Sequence, residues 1–424
     1  MNKQNTYSVI ISCLLSYITG LLAWNTGING FGILAILPSL WLNTKSRLSS
    51  FFVIFSYYIG ATHELFYGAE AYFGDNPALS SCLWFLQQII LASGWVIFWK
   101  KGLDNFWEIL IRLSLTFFVT IFIPPYSFIG IANPVTGAGY YFPKLGITGI
   151  FLFIYASAFC GYVFVRIKAE LIGELSSRSL AKIAFGIFLF NSCFIAVNDL
   201  HARNIAEGLQ DKKDGRIVVN TELGDIKFGT IFFKDYERHR ELKAIAEQYI
   251  REGYKVIIFP EMVAGKWTQV EEDLWSDVDT LARQMKTAVL VGAQRVVSDR
   301  EYDNALVVLG EKRLISRELI KSRISMPYSN WNPFAPWSAT LNIGPDNNGV
   351  VVINKDPAAV LICYEQMLVW PILQSMTSKE RPELIITVSN IWWAKNTMIP
   401  KIMENTTTMW GRLFNVPVLR AVNT

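Results

Sequence analysis

In a chain of 424 residues with five cysteines and three histidines, one cysteine stands where it could act as a nucleophile. Cys363 ends the apolar run Ala358-Ala359-Val360-Leu361-Ile362 and is followed by Tyr364-Glu365 and a helical pattern. A strand that turns into a helix exposes the side chain at the turn, and the helix N-terminus favours a thiolate. The usual base for such a thiol is histidine. His63 lies in the apolar first half, His201 in a polar linker and His239 on a helical stretch, so neither a Cys-His pair nor a zinc site follows. The base must then be a carboxylate.

Two further strand ends carry charge. Val256-Ile257-Ile258-Phe259-Pro260-Glu261 runs a strand into a proline and a glutamate, and Leu319-Ile320-Lys321 ends a strand with an ammonium. Taken singly, these are ordinary features, since strand-end charges are usually solvated and a lone cysteine is usually core. Converging on one rim, they would make a general base of raised pKa, a nucleophile and a cation for an oxyanion.

The elements that must position these residues fall into two halves. The whole chain is 52% hydrophobic and only 17% charged, with net charge +4. Eleven of its 39 Lys/Arg and eight of its 35 Asp/Glu lie in residues 1–199, so the charge is concentrated in the second half. This separates a membrane domain, residues 1–199, from a linker, 200–215, and a soluble domain, 216–424. No basic surface of the kind that tracks a nucleic-acid backbone is implied.

A membrane-crossing helix needs roughly 20 apolar residues. Residues 4–44 have room for two, and 48–62, 76–99, 113–143, 145–165 and 183–198 for one each, giving about seven spans. Lys3, Lys45, Arg47, Lys100, Lys101, Arg166, Lys168, Arg178 and Lys182 fall in one set of loops, which the positive-inside rule makes cytoplasmic. An odd number of crossings then carries the second half to the extracytoplasmic side. There, runs at 217–219, 228–233, 255–259, 288–291, 305–309, 314–320, 350–353, 359–363, 384–388 and 416–420 predict strands. Helices are expected at 236–251, 271–285, 365–374 and 398–414, which makes this half α/β with mixed sheets.

In that order, Phe-Pro-Glu at Glu261, the strand-end Lys321 and Ile-Cys-Tyr-Glu at Cys363 resemble the Glu-Lys-Cys triad of the nitrilase, or carbon-nitrogen hydrolase, superfamily. The closer resemblance is to bacterial apolipoprotein N-acyltransferases, which place this domain after a multi-span membrane region. The segment 384–390 with Trp392-Trp393, and Val418-Leu419-Arg420-Ala421-Val422-Asn423, resemble that group's later signatures. Size also resembles the plasmid conjugal-transfer TraB subgroup. The resemblance implies an α-β-β-α sandwich and, in the bacterial inner membrane, two-step acyl transfer in which Glu261 takes the thiol proton, Cys363 attacks a carbonyl, and Lys321 with the Tyr364 N–H holds the oxyanion. Glu365 is the implied supporting residue, and no metal or organic cofactor is required. A membrane lipid would be the acyl donor, and a lipoprotein or transfer-apparatus protein the acceptor. Tyr328, Trp331, Phe334 and Trp337 would form a lipid-facing loop.

The chain departs from the acyltransferases twice. Their further glutamate after the lysine is replaced by Met326-Pro327-Tyr328-Ser329-Asn330, and the sequence stops at Thr424 before the family's last strands and closing membrane helix. A tethered amidase or nitrile hydrolase, and a catalytically idle scaffold of a conjugation or secretion apparatus, are the alternatives. The scaffold has no need of three chemical residues at three strand ends.

Overall fold

A computed structural model describes residues 3–73, 76–171, 215–224, 232–298, 301–324, 326–327, 343 and 346–424. Its described parts form two compact units. One draws on Met1–Gly208, Met367–Val369 and Asn396–Asn415, and the other on Leu209–Gln366, Trp370–Lys395 and Val416–Thr424.

The first unit is helical. Its main helices are Lys3–Asn25, Arg47–Thr62, Pro77–Ile97, Phe106–Phe122, Gly146–Leu171 and Ile399–Phe414. Polar residues start several of them: Ser46 accepts from the Ser49 N–H, Asn76 from Leu79, and Asn105 from both Trp107 and Glu108. Among the described residues, three helices are long and apolar enough to cross a membrane, Tyr7–Asn25, Pro77–Ile97 and Gly146–Ile167. Each exposes large apolar side chains, such as Ile10 and Leu14, Phe85 and Ile89, and Phe151 and Phe159. In water this surface would be costly, whereas in lipid it is satisfied.

Two expectations change here. Residues 4–44 hold one long helix rather than two, because the chain breaks at Gly27 (φ 79°) and continues as a 3-10 segment, Ile28–Ile36, and a short helix, Leu37–Leu42. The stretch 113–143 likewise leaves its helix at Phe122, just before Pro124-Pro125, and goes on in short turns. The span expected at 183–198 and nearly all of the 200–215 linker lie outside the described residues.

The division at residue 216 also needs correcting, since the Ile399–Phe414 helix groups with the first unit. It is buried on nearly every side, through Ile402, Met403, Met409, Trp410 and Leu413 as well as Asn405 and Thr406. Lys401 and Glu404 mark its one exposed stripe, and the other faces are enclosed by neighbouring elements. The Lys144 N–H donates to the Arg412 carbonyl at 2.8 Å, and a Cβ at Gly139 would lie 2.1 Å from the Met409 carbonyl oxygen.

The second unit contains β1 Arg216–Val218, β2 Val256–Ile258, β3 Lys266–Trp267, β4 Ala288–Val296, β5 Tyr302–Gly310, β6 Leu319–Lys321, β7 Val350–Ile353, β8 Asp356–Ile362, β9 Leu384–Asn390 and β10 Val418–Asn423. One sheet runs β1-β2-β4-β5-β6, with β3 added to β4, and the other β10-β9-β8-β7. Alternation along the strands gives the first sheet two apolar faces. Val256, Ile258, Leu290, Leu306, Val308 and Ile320 share a core with Val351, Val360, Ile362, Ile386 and Val388 of the second sheet. Ile257, Val289 and Val291 pack instead with Leu242, Ala246 and Ile250 of the Phe232–Arg251 helix and Val278 and Ala282 of the Ser276–Met285 helix.

Some local expectations shift as well. Phe232 and Phe233 begin a helix rather than ending a strand, 314–320 breaks after a 3-10 turn, and 271–285 is two helices joined at Trp275. The outer edge of β10 is met by residues 220–224. Thr221 and Val422 pair through the Thr221 N–H, the Thr424 N–H returns to the Thr221 carbonyl, and the Asn423 carboxamide oxygen accepts from Thr221 Oγ1 and the Leu223 N–H. That cover leaves less of the edge open to pairing with another chain.

The Lys3–Asn25 and Arg47–Thr62 helices of the helical unit cross closely. A Cβ at Gly20 would lie 2.1 Å from the Tyr57 carbonyl oxygen, and one at Gly60 2.2 Å from that of Tyr17, so each helix has its backbone against the other. Gly60→Ala should therefore cost about 1–3 kcal/mol, read as a lower melting temperature in detergent. An unchanged melting temperature would contradict this packing.

Candidate active site

Glu261 sits one residue past the Pro260 turn that follows β2. The next residue, Met262, has φ 52°, a left-handed corner that bends the chain sharply. The corner presses against β4, where a Cβ at Gly292 would fall 1.9 Å from the Pro260 carbonyl oxygen. Only glycine lets the two backbones approach this closely. The Glu261 carboxyl is thereby carried inside, 2% exposed. One oxygen accepts from Asn304 Nδ2 at 2.6 Å and the other from the Asn390 N–H at 3.0 Å.

Cys363 follows β8 and opens the 3-10 turn Cys363–Met367. Its φ of 50° makes it a second left-handed corner, a conformation that costs a non-glycine residue about 1–3 kcal/mol and is kept where the surroundings enforce it. Its side chain is partly buried at the margin of the inter-sheet core, hydrogen-bonded to Glu261. Burial, aided by repulsion from Glu365, outweighs the lowering effect of the bonds from Cys363, Asn304 and Asn390 and leaves the Glu261 carboxyl pushed up to about 7. Burial and the neighbouring Glu261 charge raise the Cys363 thiol, while the backbone N–H groups of Asn390 and Tyr364 pull it down. A thiol proton shared with a carboxylate poised near neutrality is a base and nucleophile ready for transfer.

Lys321 is placed differently. The register pairs Lys321 with Ala305, one residue out of phase with Leu306 and Ile320, which face the second sheet. Its ammonium meets the buried Asp303 carboxylate at 2.8 Å. Among the described residues no hydrogen bond or ion pair joins it to Glu261 or Cys363. The structure thus brings two of the three strand-end residues together and gives the third another partner.

Glu365 is 1% exposed and stands under the Cys363 turn. It accepts from Ser322 Oγ at 2.9 Å, from the Arg323 and Ile324 N–H groups, and from Arg323 Nη2 at 3.0 Å. Tyr364 is buried, which raises its phenol well above the ordinary range, and its backbone N–H faces the sulfur. Of the expected lipid-facing loop, Tyr328, Trp331, Phe334 and Trp337 lie outside the described residues. Among the described residues, no cluster of His, Cys, Asp and Glu could hold a metal ion.

Sequence reasoning missed Asn304, Arg323 and Asn390. Asn304 shares the alternation of Leu306 and Val308, so a polar residue at that register faces the inter-sheet space, and this signal was readable. Asn390 acts through its backbone, which no side-chain pattern reveals. Its own side chain accepts from Asn423 Nδ2 at 2.8 Å, tying the end of β9 to β10.

Because Glu261 ionises near pH 7, alkylation of Cys363 by iodoacetamide should rise with pH through about 7. Glu261→Gln should abolish that limb and leave only the slow rise of an ordinary thiol at higher pH. The linkage sign gives a second readout. A carboxyl whose folded value is raised binds more protons when folded, so its contribution is full below the unfolded value and is lost as pH rises through about 7. The loss is on the order of 3 kcal/mol. At pH 8, Glu261→Gln should be at least as stable as the wild type to urea, and a markedly less stable variant would contradict the buried, proton-poised carboxyl.

No protein-family model matches the chain. A protein described as a probable conjugal transfer protein TraB from Sinorhizobium fredii is 27% identical over 418 residues, spanning 97% of this chain and 97% of that protein. Conjugal transfer protein TraB of Agrobacterium fabrum is 27% identical over 438 residues, 99% of this chain and 94% of that one. Two solved structures match in part. A carbon-nitrogen hydrolase from Helicobacter pylori has 11% identity and TM-score 0.36, over 49% of this chain and 72% of that one. An amidase of the nitrilase superfamily from Nesterenkonia has 9% identity and TM-score 0.33, over 49% and 74%. Along nearly its whole length the chain resembles the conjugal transfer TraB proteins.

Proposed function

We propose that this chain is a membrane-held cysteine enzyme of the carbon-nitrogen hydrolase type, serving conjugal transfer by moving an acyl group through a thioester on Cys363. The observation that carries this reading is the Glu261 carboxyl, poised near neutrality and hydrogen-bonded to the Cys363 thiol. The full-length likeness to conjugal transfer proteins supports the setting. The charge distribution of the first half supports a multi-pass inner-membrane protein, with about seven spans and the α-β-β-α catalytic part on the periplasmic side.

In the first step Glu261 accepts the thiol proton and the sulfur adds to an acyl carbonyl. The oxyanion is held by the Tyr364 N–H. As the carbonyl re-forms, the leaving group takes the proton from Glu261, and a thioester remains on Cys363. An amine, or water, then gives a proton to Glu261 and attacks the thioester, which returns the thiol. A membrane lipid fits the donor role and a lipoprotein or transfer-apparatus protein the acceptor role. A part for Lys321 in the oxyanion requires its ammonium to exchange Asp303 for the substrate. The aromatic residues Tyr328, Trp331, Phe334 and Trp337 would guide the acyl chain.

The pairing of Lys321 with Asp303 is also the observation that favours the second reading, an idle scaffold. One experiment separates the two. Protein purified from its native membrane is acid-quenched, and the Cys363 peptide is weighed before and after hydroxylamine. The enzyme reading expects a hydroxylamine-labile acyl group on Cys363, lost in Cys363→Ala and formed on the order of 100-fold more slowly in Glu261→Gln. Lys321→Ala should slow it by a similar factor. Folded wild-type protein that never carries the group would decide for the scaffold.

A further inference from the structure

Among the described residues near the site, Arg323 is a charged residue with many hydrogen-bond partners. It is 1% exposed. Besides Glu365, its guanidinium donates to the carbonyls of Asn348, Val360 and Pro371 and to Gln374 Oε1 and Ser375 Oγ, at 2.7 to 3.3 Å. The backbone makes room for it. At Gly349, with φ 71°, a Cβ would fall 2.5 Å from the guanidinium carbon.

We propose that Arg323 is a positioning residue for the nucleophile: its guanidinium pairs with Glu365 beneath the Cys363 turn and so holds the sulfur against Glu261. The proposal rests on Cys363 being the reactive thiol. The chain of contacts is direct. Val360, whose carbonyl Arg323 holds, lies on β8, the strand that ends at Cys363, and Glu365 also reaches back to the Ile362 N–H at 3.5 Å. Arg323 follows β6, while Pro371, Gln374 and Ser375 belong to the Val369–Met376 helix after the turn. One guanidinium therefore ties together both sides of the strand-to-turn corner whose left-handed geometry needs enforcing.

A purely structural clamp and a charge-holding one differ in what they do to Glu261. The ionisable groups around that carboxyl are Cys363 and Glu365, with Arg323 bonded to Glu365, the Lys321–Asp303 pair on the neighbouring strands, and the buried Tyr364. Without the Arg323 charge, Glu365 loses its counter-ion and repels Glu261 more strongly.

The test uses full-length protein in detergent and iodoacetamide as the probe, with alkylation of Cys363 followed by peptide mass spectrometry across pH. This readout needs no substrate, so a failure of the proposed acyl chemistry leaves it intact. Arg323→Gln is expected to lower the alkylation rate at pH 7 by about tenfold and to move the rise through about pH 7 upward. Arg323→Lys, which keeps the charge but loses the fork, should keep the midpoint and lose part of the rate. Arg323→Gln with Glu365→Gln removes both charges and should return the midpoint towards the wild type. If the single variant fails to fold, a folded double variant with the wild-type midpoint supports the proposal. A wild-type profile in folded Arg323→Gln, or a double variant no closer to wild type than the single, overturns it.

Discussion

A carboxyl group buried between two sheets beside a thiol is the constraint on which the rest of the second unit turns. Taking an ionised carboxylate out of water is strongly unfavourable unless hydrogen bonds or charges offset it. Glu261 receives hydrogen bonds from Asn304 Nδ2, the Asn390 N–H and the Cys363 thiol. That supply is enough to hold the group inside and too little to keep it fully ionised, which is why its proton affinity settles near neutrality. A surface glutamate with the same sequence neighbours would be a weak base at every pH of interest.

The surrounding architecture follows from delivering those groups to one point. The ends of β2, β8 and β9 meet, with Glu261 just past β2, Cys363 just past β8 and Asn390 closing β9. Two left-handed corners, at Met262 and Cys363, bend the chain so that the carboxyl and sulfur meet. Gly292 permits the first corner, and the Arg323–Glu365 pair sits behind the second. Breaking one partner of such a buried pair typically costs about 3–5 kcal/mol, so the corner and the pair stand or fall together. The end of β9 is fixed in turn by Asn423, whose carboxamide satisfies Asn390, Thr221 and Leu223 at once.

Much of this was legible from the residues alone, and the limits are physical. Strands such as 255–259 and 359–363 announced themselves as short apolar runs, and Glu261 and Cys363 stood out because chemical residues closed those runs. Lys321 closed a run too, but alternation alone decides which face a strand residue takes, and its register was fixed by pairing with β5, which the sequence does not display. Arg323 carried no signal in the sequence, because its partners include carbonyls scattered over Asn348, Val360 and Pro371. In the first half, hydropathy found the apolar segments but not their breaks at Gly27 and around Pro124. The Ile399–Phe414 helix was recognised as a helix and assigned to the wrong unit, since periodicity says which residues are buried and not against what.

The chemistry of this site centres on the proton of Glu261, and that proton can be watched. Infrared difference spectra of the wild type minus Glu261→Gln, titrated in detergent, isolate the carbonyl stretch of this one carboxylic acid. A buried, poised Glu261 predicts a protonated-carboxyl band that disappears with a midpoint near pH 7. A band that is already gone in the ordinary carboxylate range, well below neutrality, would mean that Glu261 is a solvated charge and that Cys363 has no poised base.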